Sequence, residues 1–118
     1  MKYALLIYTK PGSFESLAEE EQHAVHGEYM ALAGDPRCLG GEQLQGLETA
    51  TTVRVSDGGT LTTDGPFADT KEVFAGFYLF DLDSLDEALG VAARVPAARI
   101  GGSVEVRPIV EQPERVAS

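Results

Sequence analysis

Hydrophobic and polar positions along the chain change period several times, and each change marks an element. Residues 2–8, KYALLIY, are aliphatic and aromatic and read as a buried strand. After the loop TKPGS, residues 16–33 place Ala18, Val25, Tyr29 and Leu32 on one helical stripe. Ser16 and Glu19 stand at capping-box spacing, and acidic residues fill the first turns, where the helix dipole favours them. Gly27 weakens this helix by about 1 kcal/mol relative to Ala, and Gly34-Asp35-Pro36 ends it. Residues 38–45, CLGGEQLQ, read as a short strand with a Gly-Gly irregularity of the β-bulge kind. Residues 50–55, ATTVRV, alternate as a strand, Ser56-Asp57-Gly58-Gly59 supplies a hairpin turn, and TLTT returns. Residues 73–82, VFAGFYLFDL, are apolar on both faces, which predicts a central strand covered on both sides. Ser84 and Glu87 form a second capping box, and Leu85, Ala88, Leu89, Ala92 and Val95 make the stripe of a second helix that Pro96 stops. Residues 102–110 alternate as a last strand, with Pro108 marking an edge or an end.

This order of elements, with a hairpin inserted between the two helices, predicts an α+β fold: a ferredoxin-like split βαβ carrying an inserted β-hairpin. The 118 residues fit one domain, expected over residues 1–110 with a polar tail over 111–118. The longest apolar run is about ten residues, too short for a bilayer, and the N-terminal run is too short for a secretory signal. The single cysteine, Cys38, forbids an internal disulfide and accords with a reducing cytoplasm, the expected location. Nine basic against nineteen acidic residues give a net charge of −10 with no Lys/Arg cluster, so neither nucleic acid nor an anionic membrane is an expected partner. No GxGxxG, Walker loop, GxSxG, CxxC or HExxH occurs, and no cofactor or metal is expected.

Residues 63–72 read TDGPFADTKE and run straight into GFYLFDLDSLDEAL. This block resembles the signature of the DGPF group of YCII-related proteins. MKYALLIYTKPG, GGEQLQ, TATTVRV and GGSVEVRPI are similar to the same pattern, so the resemblance covers residues 1–110. It implies a ferredoxin-like subunit that joins a second copy in a dimeric α+β barrel, with a pocket between sheet and helices. Some YCII relatives use a His-Asp pair, and one acts on a chlorinated aromatic. DGPF members are often encoded beside extracytoplasmic-function sigma factors, which implies a sigma-factor-linked partner as one option.

The candidate chemistry lies in few residues. His23 and His26 share a face of the first helix, and histidine can serve as acid or base near neutral pH. His23, in EEQH, is similar to the place where YCII relatives carry their helix histidine; the bland alternative for both is a solvated helix surface. Asp64 and Asp69 flank the DGPF turn. A rigid turn can hold a carboxylate as a general base, or Asp64 can simply accept backbone N–H bonds. Lys71 can draw in an anionic substrate or pair with Asp69 or Glu72. Glu42 follows Gly40-Gly41, and Tyr8 ends the first strand within reach of a pocket. Tyr29, Tyr78 and Phe80 read as core or interface, and Cys38 as inert. Two functions fit: a cofactor-independent enzyme doing proton transfer on a small organic molecule, or a non-catalytic module that binds a ligand or a protein partner.

Overall fold

The computed structural model describes residues 1–64 and 71–111. The predicted GPFADT segment of the turn and most of the polar tail lie outside the described residues. Strand β1 spans Lys2–Thr9, helix α1 Glu19–Ala33 and strand β2 Cys38–Gln43. Strands β3 (Thr51–Ser56) and β4 (Gly59–Asp64) follow, then β5 (Val73–Asp81), helix α2 (Leu85–Ala92) and β6 (Ser103–Pro108). The main sheet has the order β2-β5-β1-β6, antiparallel throughout. This is the ferredoxin-like order, and β3 and β4 form a separate two-stranded ribbon inserted in it. The ribbon turns at Asp57 (φ 49°) and Gly58 (φ 77°), the left-handed pair that a two-residue hairpin needs.

Register assigns each face of the sheet, because directly paired residues project to the same side. On one face stand Tyr3, Leu5 and Ile7 of β1, opposite Phe80, Tyr78 and Gly76 of β5. These residues are buried and share a core with Leu32 of α1, with Ala88, Val91 and Ala92 of α2, and with Val95 and Ala97 beyond it. The Tyr78 hydroxyl donates to the Tyr29 carbonyl at 2.8 Å, tying β5 to α1. Burial pushes the Tyr78 phenol up to about 12, with the nearby Tyr29 and Cys38 adding to the shift, so it stays a donor. Tyr78 and Phe80 are thus core, as one of the two expectations held.

Three expectations need correction. The first concerns β5, which is central as expected but which the described residues cover on one face only. Both helices pack on the Tyr78–Phe80 face, leaving Phe77 and Leu79 half-buried on the other. The second concerns α1, which begins at Glu19 and not at Ser16. The Ser16 hydroxyl turns back to donate to the Gly12 carbonyl at 2.6 Å, and Ala18 occupies the N-cap position with no side-chain bond. The Gln22 amide reaches the carbonyls of Phe14 and Leu17 at 3.2 Å each and holds the preceding turn against the helix. The third concerns α2, whose buried stripe is Ala88, Val91 and Ala92, while Leu85 and Leu89 are each about half exposed. Small alanines let the helix approach the sheet closely, which rotates the larger leucines to its flank. Its cap is as read: the Glu87 N–H donates to the Ser84 hydroxyl at 3.2 Å.

Candidate functional site

The site grows from the end of the sheet where β1 finishes and β5 and β6 begin. A bulge between Ile7 and Tyr8 shifts the register and sets Tyr8 opposite Phe74. Their rings lie 5.5 Å apart at 53°, a tilted aromatic pair. Gly101 turns into β6 with φ +94°, and the methylene stem of Lys10 lies over it: a Cβ there would sit 3.4 Å from Lys10 Cδ. Gly102 follows in close backbone contact with β1, since a Cβ there would come within 2.1 Å of the Tyr8 carbonyl oxygen. Beside them the Ser103 hydroxyl donates to Glu72 Oε2 at 3.0 Å and orients that carboxylate.

These pieces line an open cleft of about 850 Å³ bounded by Tyr8, Lys10, Pro11, Lys71, Glu72 and Gly101. A smaller cleft of about 360 Å³ lies on the helix side, lined by Glu28, Ala31, Leu32, Arg94 and Arg99. There Arg99 is engaged by Glu28 in an ion pair, so the two charges serve each other. The larger cleft is open to solvent and is bordered by a tyrosine, two lysines and a glutamate whose carboxylate Ser103 orients.

Of the residues singled out in the sequence, Tyr8 and Lys71 meet in this cleft. Glu42 stands on β2 opposite Phe77, exposed and away from the cleft lining. His23 is 80% exposed on α1, with Nε2 3.9 Å from the Glu19 carboxylate one turn earlier. His26 is also exposed, and neither histidine lines either of these two clefts. Asp64 closes β4 opposite Thr51; its carboxylate and the whole of Asp69 lie outside the described residues. Cys38 is half-buried beneath α1, its Sγ 3.6 Å from the Gly40 carbonyl oxygen. Among the described residues, no three His, Cys, Asp or Glu side chains gather in a way that could hold a metal. No described helix is long and apolar enough to cross a membrane.

Sequence reasoning missed Lys10, Glu72, Gly101 and Ser103 as members of one site. The signals were present in KPG after β1 and GGS before β6, two turns that sheet order β5-β1-β6 brings side by side.

A ferredoxin-like α+β chain with a bulged central strand pair and a cleft at one end of its sheet defines a class that comparison with known proteins narrows. The YCII-related domain matches residues 1–113, and the chain belongs to that family. Uncharacterized protein R00369 of Rhizobium meliloti (strain 1021) is 40% identical over 114 residues, covering 92% of each chain. Among solved structures, the chain is similar to 5-chloro-2-hydroxyhydroquinone dehydrochlorinase (TftG) from Burkholderia phenoliruptrix AC1100, in complex with 2,5-dihydroxybenzoquinone. That likeness has a TM-score of 0.56 at 15% identity, over 95% of this chain and 96% of the other. It shows a shared fold.

Proposed function

We propose that this protein acts on a small organic molecule by acid–base chemistry, without a cofactor, in the cleft at the Tyr8–Lys71 end of the sheet. The observation that supports this reading is the convergence there of Tyr8, Lys10, Lys71 and Glu72. A tyrosine and lysines can donate protons or stabilise a developing oxyanion, and a carboxylate oriented by Ser103 can accept a proton. The related fold of TftG, solved in complex with 2,5-dihydroxybenzoquinone, is a precedent for small-molecule chemistry on this scaffold. The histidine–aspartate pairing of His23 or His26 with Asp64 or Asp69 rests on the family resemblance, since both imidazoles stand on the exposed side of α1.

The working unit in this reading is a homodimer. Ala4, Leu6 and Tyr8 of β1 share the uncovered sheet face with Leu79, Phe77 and Phe74 of β5. This apolar stripe is flanked by Glu42 on one edge and by Arg107 and Glu105 on the other. A second copy laid on this face would cover β5 on its other side and roof the cleft beside Tyr8.

The test is a thermal-shift screen of small acids, phenols and quinones, followed by turnover assays on the hits. A ligand at 100 times its Kd adds about 2.7 kcal/mol to stability. Lys71→Ala and Glu72→Gln should then lower turnover by about 10²-fold or more, while His23→Gln and His26→Gln report on the histidine pairing. A second reading is an accessory module with a protein partner, linked to sigma-factor regulation. It is favoured by the β3–β4 ribbon, which exposes Val53, Val55 and Leu61. A flat small-molecule screen together with a captured partner that releases on Val55→Asp would support it over the enzyme.

A further inference from the structure

The charges on the cleft carry a statement about what it takes. The chain has a net charge of −10 and only three lysines, yet two of them, Lys10 and Lys71, line this one cleft. The Lys10 stem is laid over Gly101, whose φ of +94° leaves no side chain to displace it. A single described carboxylate faces them, Glu72, and its Oε2 accepts the Ser103 hydroxyl at 3.0 Å. Two ammonium groups against one carboxylate leave one positive charge on the described lining. Tyr8, tilted on Phe74, adds aromatic surface to the lining.

We propose that the cleft selects small organic monoanions, an oxyanion held between Lys10 and Lys71 with its apolar body against Tyr8. The inference rests on the small-molecule reading above and deepens it. The one positive charge left on the described lining is matched by one carboxylate or phenolate. A dianion would leave a negative charge facing Glu72, in a molecule whose whole field already repels anions. A neutral ligand would leave the two ammonium groups uncompensated by anything it brings. Carboxylate and phenolate share the recognised chemistry, a single delocalised negative oxygen group beside an apolar ring.

The experiment is a set of ¹⁵N-detected NMR titrations of the full chain, followed at the Lys71, Glu72 and Gly101 amides. The probes are benzoate, its neutral counterpart benzamide, the dianion isophthalate, and 4-nitrophenolate at mildly alkaline pH. Benzoate or 4-nitrophenolate should bind about tenfold or more tightly than benzamide, and more tightly than isophthalate. The preference over benzamide should collapse to near unity in a Lys10→Ala/Lys71→Ala variant, whose exposed positions leave the core intact. Glu72→Gln, which raises the lining charge by one, should improve isophthalate relative to benzoate. Whichever of the two monoanions binds better names the source of the oxyanion. Equal binding of benzoate and benzamide, or an unchanged preference without the lysines, would overturn the monoanion assignment and leave the small-molecule site standing. Absence of perturbation at these amides with every probe would overturn both.

Discussion

Single residues here act mostly through backbone proximity and paired charge. Gly41 stands where β2 crosses β5, and a Cβ there would sit 2.3 Å from the Phe77 carbonyl oxygen and 3.0 Å from Tyr78 Cδ1. Backbone at that distance cannot yield, so Gly41→Ala should destabilise the fold by roughly 1–3 kcal/mol. A lower urea midpoint with unchanged slope is the expected reading. The GGEQLQ pair was legible as an irregularity; that the second glycine answers to close strand approach is visible only in the sheet. Asp35 acts by charge. Its carboxylate accepts from the Arg37 backbone N–H at 2.8 Å, from Nε at 3.0 Å and from Nη2 at 2.9 Å, while Nη1 donates to Glu87 at 2.9 Å. The Arg37 side-chain bonds, seconded by its backbone N–H, hold the Asp35 carboxyl down at about 2, below its ordinary 3.8. A depressed carboxylate stabilises the fold above its unfolded value and loses that contribution as it becomes protonated. The Tm advantage of the wild type over Asp35→Asn should therefore be full above about pH 4 and shrink as pH falls toward about 2.

At the scale of elements, the two helices give a paired test of what a serine near a helix start does. Ser84 caps α2 through the Glu87 N–H, whereas Ser16 is spent on the Gly12 carbonyl three residues before α1 begins. Ser84→Ala should cost about 1 kcal/mol and Ser16→Ala no more than about 0.5 kcal/mol, both measured by chemical denaturation. The same spacing of Ser and Glu occurs at both places, so the sequence pattern alone could not tell them apart. What decides is the preceding turn, which places the Ser16 hydroxyl against the Gly12 carbonyl ahead of the helix start at Glu19. Strand and helix order, the hairpin turn and the central place of β5 were legible because period and turn residues are local signals. The face of α2 was not, because Leu85 and Leu89 are the most apolar residues of its stripe yet Ala88 and Ala92 are the ones that fit under the sheet. The site was legible only in part: Tyr8 and Lys71 carry recognisable chemistry, while Lys10, Glu72 and Gly101 join them through strand pairing between distant segments.

For the whole molecule, the decisive feature is a sheet with one face finished and the other not. Tyr3, Leu5, Tyr78 and Phe80 face the helices and are buried, but Leu6, Phe77 and Leu79 on the reverse side are half-buried. A strand apolar on both faces is the pattern of burial on both faces, and the described residues supply cover for one. The proposed pairing of two sheets resolves that mismatch, because removal of the stripe from water is favourable in proportion to its area. In the proposed pairing, Glu42 on one edge would be attracted by Arg107 and repelled by Glu105 on the other, which would restrict the register of the two sheets. Light scattering at micromolar concentration should therefore give twice the chain mass. Phe77→Glu should reduce it to the single-chain mass, since a buried unpaired carboxylate at a dimer contact costs several kcal/mol. The variant should keep its circular-dichroism spectrum, because position 77 lies opposite the Phe80 core. A wild type that scatters as a monomer would remove the dimer and leave the cleft open beside Tyr8. A Phe77→Glu variant that stays dimeric would move the interface elsewhere, with the exposed ribbon of β3 and β4 the next surface to mutate.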